Sequence, residues 1–254
     1  MGGEPMLVVD HLAKSFGALR ATDDLSLAVS RGELHALIGP NGAGKSTLMK
    51  QLSGEIAPDS GRLVFEGRDI THLSAPERAR LGMARSYQIT SIFPDYTALE
   101  NVAMAVQARL GHSFRFFRSA RGDRALEGPA REVLAMVHLG DLADRPAHSL
   151  AHGQQRQLEI AMALAMQPTM LLLDEPMAGM GPEESAFIVE LLSGLKGRVT
   201  MLLIEHDMEA VFSLADRITV LVYGKAIACG VPDAIRNDPT VREAYLGEEL
   251  VDAA

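Results

Sequence analysis

The amino-acid sequence predicts an α/β fold built around a largely parallel sheet. Short β-rich runs alternate with helical patterns along the chain, the order that places crossover helices against a parallel sheet. One of these runs, ELHALIG from Glu33, is nearly continuous in apolar residues and passes straight into a glycine-rich turn and then a helical pattern, as a strand buried on both faces does. The 254 residues suit one elaborate domain or two small ones. With 47% hydrophobic and 22% charged residues, the composition is that of a globular chain and excludes disorder.

Taken in order, MLVVDHLAKSF from Met6 and the alternating LRATDDLSLAVS from Leu19 read as antiparallel edge strands. The strand from Glu33 follows, and STLMKQLSGEI from Ser46 reads as a helix with Leu48 and Leu52 on one face and Gly54 as its stop. A turn at Pro58, Asp59, Ser60 and Gly61 leads into the short strand RLVFEG. From about residue 89 to 167 the pattern is helical, with amphipathic stretches at 99–109 and 129–139 and a helix over 153–167. Two apolar strands, MLLLD from Met170 and VTMLLIE from Val199, flank a helix over about 182–195. RITVLVYGKAIACG reads as a hairpin turning at Gly224, followed by a helical tail through VREAYLGEE. Residues 1–254 therefore form one domain, with a helical subdomain inserted at about 89–167.

Charge and cysteine content narrow the function classes. With 24 Lys and Arg against 33 Asp and Glu, the net charge of −9 argues against a general nucleic-acid binder, which needs cations for the phosphates. Cys229 stands alone, so there is no disulfide framework or cysteine metal cluster, and a reducing, cytoplasmic setting is expected. The N-terminal residues lack a secretory pattern. No apolar run approaches the roughly 20 residues of a spanning helix, so the chain by itself reads as soluble.

The chemistry starts at GPNGAGKST: Gly39, Pro40, Asn41, Gly42, Ala43, Gly44, Lys45, Ser46 and Thr47. This is the G-x-x-x-x-G-K-[ST] phosphate loop, in the strand–turn–helix context that the chemistry requires. Small residues let backbone N–H groups converge on phosphate oxygens, and the helix N-terminus adds its positive dipole end. Lys45 is expected on the β- and γ-phosphates and the Ser46 hydroxyl on Mg²⁺. MLLLDEP ends a strand with Asp174 and Glu175 at its carboxyl edge, where open α/β sheets bind ligands. Asp174 suits Mg²⁺, directly or through water, and Glu175 could polarise an attacking water. His206, after LLIE, suits a γ-phosphate contact, and Gln88, after MARSY, could hold Mg²⁺ or the lytic water.

These motifs, together with LAHGQQ from Leu150, occur in the order found in the ATP-binding cassette (ABC) ATPases, and the chain resembles that family over nearly its whole length. The resemblance implies a P-loop NTPase fold of ABC type: a mixed sheet core with an antiparallel β subdomain and a helical subdomain. It makes Leu150, Ala151, His152, Gly153 and Gln154 the signature segment, which in that family faces the nucleotide held by a second cassette. It gives Glu175 the role of general base, with His206 and Gln88 positioning water and γ-phosphate, and it places Phe16 against the adenine. KSFGALRATDDLSL, FPDYTALENV, GQQRQLEIAMALA and VREAYLGEE resemble more closely the cassettes of branched-chain amino-acid importers, with urea or amide importers as the alternative and a weakly hydrolysing nucleotide sensor as another. The implied cofactors are ATP and Mg²⁺. The implied partners are a second cassette, transmembrane permease subunits and, through the complex, an extracytoplasmic solute-binding protein, with the chain peripheral on the cytoplasmic face of the plasma membrane and no nucleic acid bound.

Two departures stand out. Ala151 and His152 replace the Ser and first Gly of the usual signature, and Gly181 stands where the family has Asp after its acidic motif. One segment also runs against the acidic trend: Arg109, Arg115, Arg118, Arg121 and Arg124 cluster with His112, Phe114, Phe116 and Phe117. It reads either as a solvated insertion or as a contact with a membrane subunit or anionic lipid.

Overall fold

The computed structural model describes residues 5–86, 92–111 and 123–249. β1 (Pro5–Phe16) and β2 (Leu19–Ser30) pair antiparallel as expected, but only β2 is an edge strand, since β4 covers the other side of β1. β3 (Leu34–Ile38) is buried at every residue and leads through the glycine-rich turn into α1 (Lys45–Ser53), which Gly54 ends in a left-handed conformation. β4 (Ser60–Phe65) and β5 (Arg68–Asp69) complete a first sheet in the order β2-β1-β4-β5. α2 (Ala75–Arg80) and β6 (Met83–Arg85) precede α3 (Ala98–Leu110), α4 (Arg124–Met136) and α5 (His152–Ala165). Then come β7 (Met170–Asp174), α6 (Pro182–Leu195), β8 (Thr200–Ile204), α7 (Met208–Leu214) and the hairpin β9 (Arg217–Val222) with β10 (Lys225–Gly230). α8 (Pro232–Asn237) and α9 (Pro239–Glu249) close the chain.

The second sheet has the order β10-β9-β3-β8-β7-β6. Its pairs β9–β3, β3–β8, β8–β7 and β7–β6 are parallel, and only β10 runs against its neighbour. Both faces are covered, which is why its strands read as apolar runs without alternation. Leu171 and Leu173 of β7 join Leu203 of β8 and Leu34, Ala36 and Ile38 of β3 in a core shared with α3 to α6. Met170, Leu172, Leu202 and Leu37 point the other way, into a core closed by α1 and the antiparallel sheet. Each such leucine contributes about 1.5–3 kcal/mol on burial.

The structure extends the sequence reading at several elements. α4 runs from Arg124 to Met136 and carries inside it Pro129, where the pattern predicts a start, ending short of the expected 139. Asp123 caps α4 by accepting from the Ala125 N–H at 3.0 Å, and the buried face Leu126, Ala130 and Leu134 keeps it helical through the proline. α2 and α7, of six and seven residues, are too short to show a period. The capping signal of α2 was nonetheless there: Ser74 donates to Glu77 at 2.6 Å from its hydroxyl and at 2.8 Å from its N–H. Gln88 and residues 112–122, with most of the basic cluster, lie outside the described residues.

Candidate nucleotide site

Parallel pairing puts the carboxyl ends of β3, β8, β7 and β6 along one edge of the sheet. The phosphate loop follows β3, His206 follows β8 and Asp174 with Glu175 ends β7, so motifs far apart in sequence converge on one crevice. Gly39 and Gly44 explain why the loop is glycine-rich. Gly44 has φ 103°, and a Cβ there would lie 2.0 Å from the Ala21 carbonyl oxygen. A Cβ at Gly39 would meet the Leu221 carbonyl oxygen at 2.0 Å. The loop is thus wedged between β2 and β9, with its exposed Asn41 and Gly42 facing out. Lys45 folds over it, donating to the Gly39 carbonyl and to the Pro40 carbonyl at 2.9 Å. Ala43 is buried, and Ser46 is exposed at the first turn of α1 with Thr47 half-buried beside it.

The carboxylates are held differently. Asp174 is 1% exposed, and its Oδ2 accepts from Arg85 Nη2 at 2.9 Å. Burial pushes its pKa up despite that guanidinium. Its Oδ1 is buried with no hydrogen-bond partner. A hard oxygen donor without a partner, at the sheet edge that also bears the Ser46 hydroxyl, fits Mg²⁺, which takes one or two protein ligands and completes its shell with phosphate and water. Among the described residues no group of three or more His, Cys, Asp or Glu could hold a metal by itself. Glu175 adopts φ 49°, a left-handed conformation that costs a non-glycine residue of order 1–3 kcal/mol. Its N–H donates to the Ile204 carbonyl at 2.9 Å and its own carbonyl accepts from Arg156 Nη2 at 2.9 Å.

Glu205, next to His206, links two of these loops. It is 2% exposed, and it accepts the Met177 N–H at 2.9 Å on Oε1 and the His206 N–H at 3.1 Å on Oε2. Burial raises its pKa against those donors. One buried carboxylate therefore joins the segment after Glu175 to the loop that presents His206, whose side chain is exposed. Phe16 is 52% exposed at the end of β1, with Lys14 Nζ 5.8 Å from its ring centre.

The signature segment opens α5. Leu150 is buried; Ala151 is the N-cap, its N–H donating to Gln154 Oε1 at 3.0 Å, and it has no side-chain oxygen to cap the helix in return. His152 is exposed, and its ring stands 3.1 Å from where Gly179 would carry a Cβ. Gly153 is buried against the Glu184 carboxyl, which also accepts the Gly181 N–H at 3.1 Å. The first turn of α5 thus packs against the start of α6 in the same chain.

Sequence reasoning missed Arg85, Arg156, Glu159 and Glu205. Two of the signals were faint but present: Arg156 and Glu159 form a charged pair at i,i+3 on one helix, and Glu205 follows an apolar strand.

Residues 22–178 match the ABC transporter family model. The chain belongs to the ABC transporter family. ATP-binding proteins of this family are ATPases coupled to transport, and the fold is the ABC type of P-loop NTPase. Residues 227–251 of the cassette match a second model, described as branched-chain amino acid ATP-binding cassette transporter. The cassette is 39% identical over 251 residues to the high-affinity branched-chain amino acid transport ATP-binding protein BraF of Pseudomonas aeruginosa, covering 96% of this chain and 98% of that one. It is 38% identical over 257 residues to LivG of Escherichia coli, with the same description, covering 96% and 99%. Among solved structures it is similar to a nucleotide-free cassette from an ABC transporter, with TM-score 0.84, 31% identity and coverage of 95% and 99%. A dimeric cassette in a post-hydrolysis state with ADP and Pi is similar at TM-score 0.77 and 25% identity, covering 89% and 99%.

Proposed function

We propose that this cassette hydrolyses Mg-ATP to drive import of branched-chain amino acids through a membrane complex, with Glu175 as the general base. The convergence of the phosphate loop, Asp174, Glu175 and His206 on one sheet edge is the observation that carries the reading. The phosphate-loop N–H groups and Lys45 bind and neutralise the phosphates, and Phe16 stacks on the adenine. Ser46 and Asp174, with Gln88, would hold Mg²⁺, which neutralises charge developing on the β- and γ-phosphate oxygens. Glu175 accepts the proton of the attacking water, and His206 fixes the γ-phosphate.

Leu150 to Gln154 face the nucleotide of a second cassette, since the N-terminus of α5 is an anion site that its own phosphate loop does not use. The dimeric relative supports this pairing. No helix among the described residues is long and apolar enough to cross a membrane, and the cassette works on permease subunits at the cytoplasmic face. A largely apolar groove between α2, β6, α3 and α5, with Ala79, Met83, Ala105, Met162 and Met166 in its walls, suits a helical segment of such a permease. Arg85 reaches from this groove to Asp174, tying what fills the groove to the metal ligand. The solute class rests on the names of the relatives and on the match of residues 227–251.

The test is ATP hydrolysis by the purified chain with and without Mg²⁺, and by its Glu175→Gln variant. Turnover should need Mg²⁺, and the variant should bind ATP while losing at least about a hundredfold in kcat, the scale of a lost general base. Normal turnover in Glu175→Gln would refute the assignment.

A further inference from the structure

We infer that Arg156 is a positioning residue for the hydrolytic step: it holds the backbone that carries Glu175, and Glu159 holds it in turn. The inference rests on the reading of Glu175 as general base. Arg156 sits on α5 two residues beyond Gln154, and 7% of its side chain is exposed. Its Nη2 donates to the carbonyls of Glu175 at 2.9 Å and Asp174 at 3.2 Å, while Nη1 donates to Glu159 Oε2 at 2.6 Å. Glu159 is itself buried, with 4% of its side chain exposed.

Three physical points give this arrangement its function. Glu175 holds a left-handed backbone, and such a conformation persists only where the surroundings over-determine it. Here the restraint comes from two sides: the Ile204 carbonyl accepts the Glu175 N–H from β8, and Arg156 donates to the Glu175 carbonyl from α5. The second restraint is charge-assisted and lies out of solvent, where such bonds are strong. Glu159 neutralises the guanidinium, without which a buried cation would be expelled. A lysine could not serve all three acceptors, because it lacks the planar fork.

The side chains also share a space. Arg156, Glu159, Glu175, His152 and Gly179 line one cavity of about 250 Å³ between α5 and the segment after β7. The signature segment therefore opens the very helix that restrains this protomer's own base. A shift of α5 is passed to the Glu175 backbone through Arg156, so what the signature meets adjusts the base in the same chain.

The test uses the full chain and compares Arg156→Met, Arg156→Lys and Glu159→Gln with Glu175→Gln, measuring kcat, KM for Mg-ATP, ATP affinity and Tm. Arg156→Met should lower kcat by about ten- to a hundredfold, the scale of a small misplacement of a reacting group, with KM and ATP affinity unchanged. Arg156→Lys should recover part of kcat, and Glu159→Gln, which keeps an acceptor for Nη1, should lose less than Arg156→Met. If Arg156→Met does not fold, Arg156→Lys carries the test through the same split between kcat and KM. Unchanged kcat in the Arg156 variants beside an inactive Glu175→Gln overturns the inference, and so does a parallel loss of kcat and ATP affinity. Normal turnover in Glu175→Gln removes the base assignment beneath it instead.

Discussion

At Gly44 the backbone passes so close to β2 that a methyl group has no room, the Ala21 carbonyl oxygen lying 2.0 Å from any added Cβ. Gly44→Ala should therefore weaken ATP binding at least about tenfold and cost about 1–3 kcal/mol in backbone strain alone, read by nucleotide titration and thermal unfolding. Ala151 presents the reverse case, an N-cap without an acceptor oxygen. Ala151→Ser should add about 0.5–2 kcal/mol and raise Tm by a few degrees; no gain in Tm would show that α5 is already capped by other means. The phosphate loop was legible in the sequence because phosphate recognition uses contiguous backbone, so all its parts are neighbours in the chain. Arg85 and Arg156 were not legible as site residues, because Asp174 lies 89 residues from Arg85 and Glu175 19 residues from Arg156. Only folding brings those partners together.

The element that organises the crevice is β8, which lies between β3 and β7 and is followed at once by Glu205. Glu205→Ala should leave the buried Met177 N–H unpaired at about 1–3 kcal/mol and release the part-buried His206 N–H, lowering both Tm and kcat. At the opposite end of β3, His35 bridges Glu33 Oε1 and Thr219 Oγ1, each at 2.7 Å. Burial pushes Glu33 upward, but the His35 hydrogen bond and the Ser30 N–H outweigh it and hold the carboxyl below its ordinary 4.5. A lowered carboxyl pKa stabilises the fold above 4.5, and that contribution disappears as pH falls through the folded-state value. Glu33→Gln should thus be less stable than the parent chain at neutral pH, the gap closing in acid, as measured by urea unfolding. Long elements were readable from pattern: the helix over 182–195 matches α6, and the hairpin turns at Gly224. α2, β5, β6 and α7 were not, since two to seven residues carry too little periodicity and tertiary packing decides them.

Across the whole molecule, two sheets and the surrounding helices build a core on both faces of the parallel sheet, which leaves its carboxyl edge as the place for a ligand. The net charge of −9 gives no advantage in meeting a polyanionic nucleotide; in the proposed function the local wrap of backbone N–H groups and Lys45 attracts it instead. Fold class and nucleotide chemistry were both legible before the structure, because each is written in strand-end motifs. The transported solute was reached only through resemblance, since no residue of the crevice meets it. The most direct measurement is ATP-driven uptake of leucine, isoleucine and valine by proteoliposomes containing this chain with the membrane subunits that co-purify with it. Uptake that requires Mg-ATP, falls to background with Glu175→Gln and is not competed by urea or amides is the predicted result. ATP hydrolysis that proceeds with no uptake of any branched-chain amino acid would contradict the account.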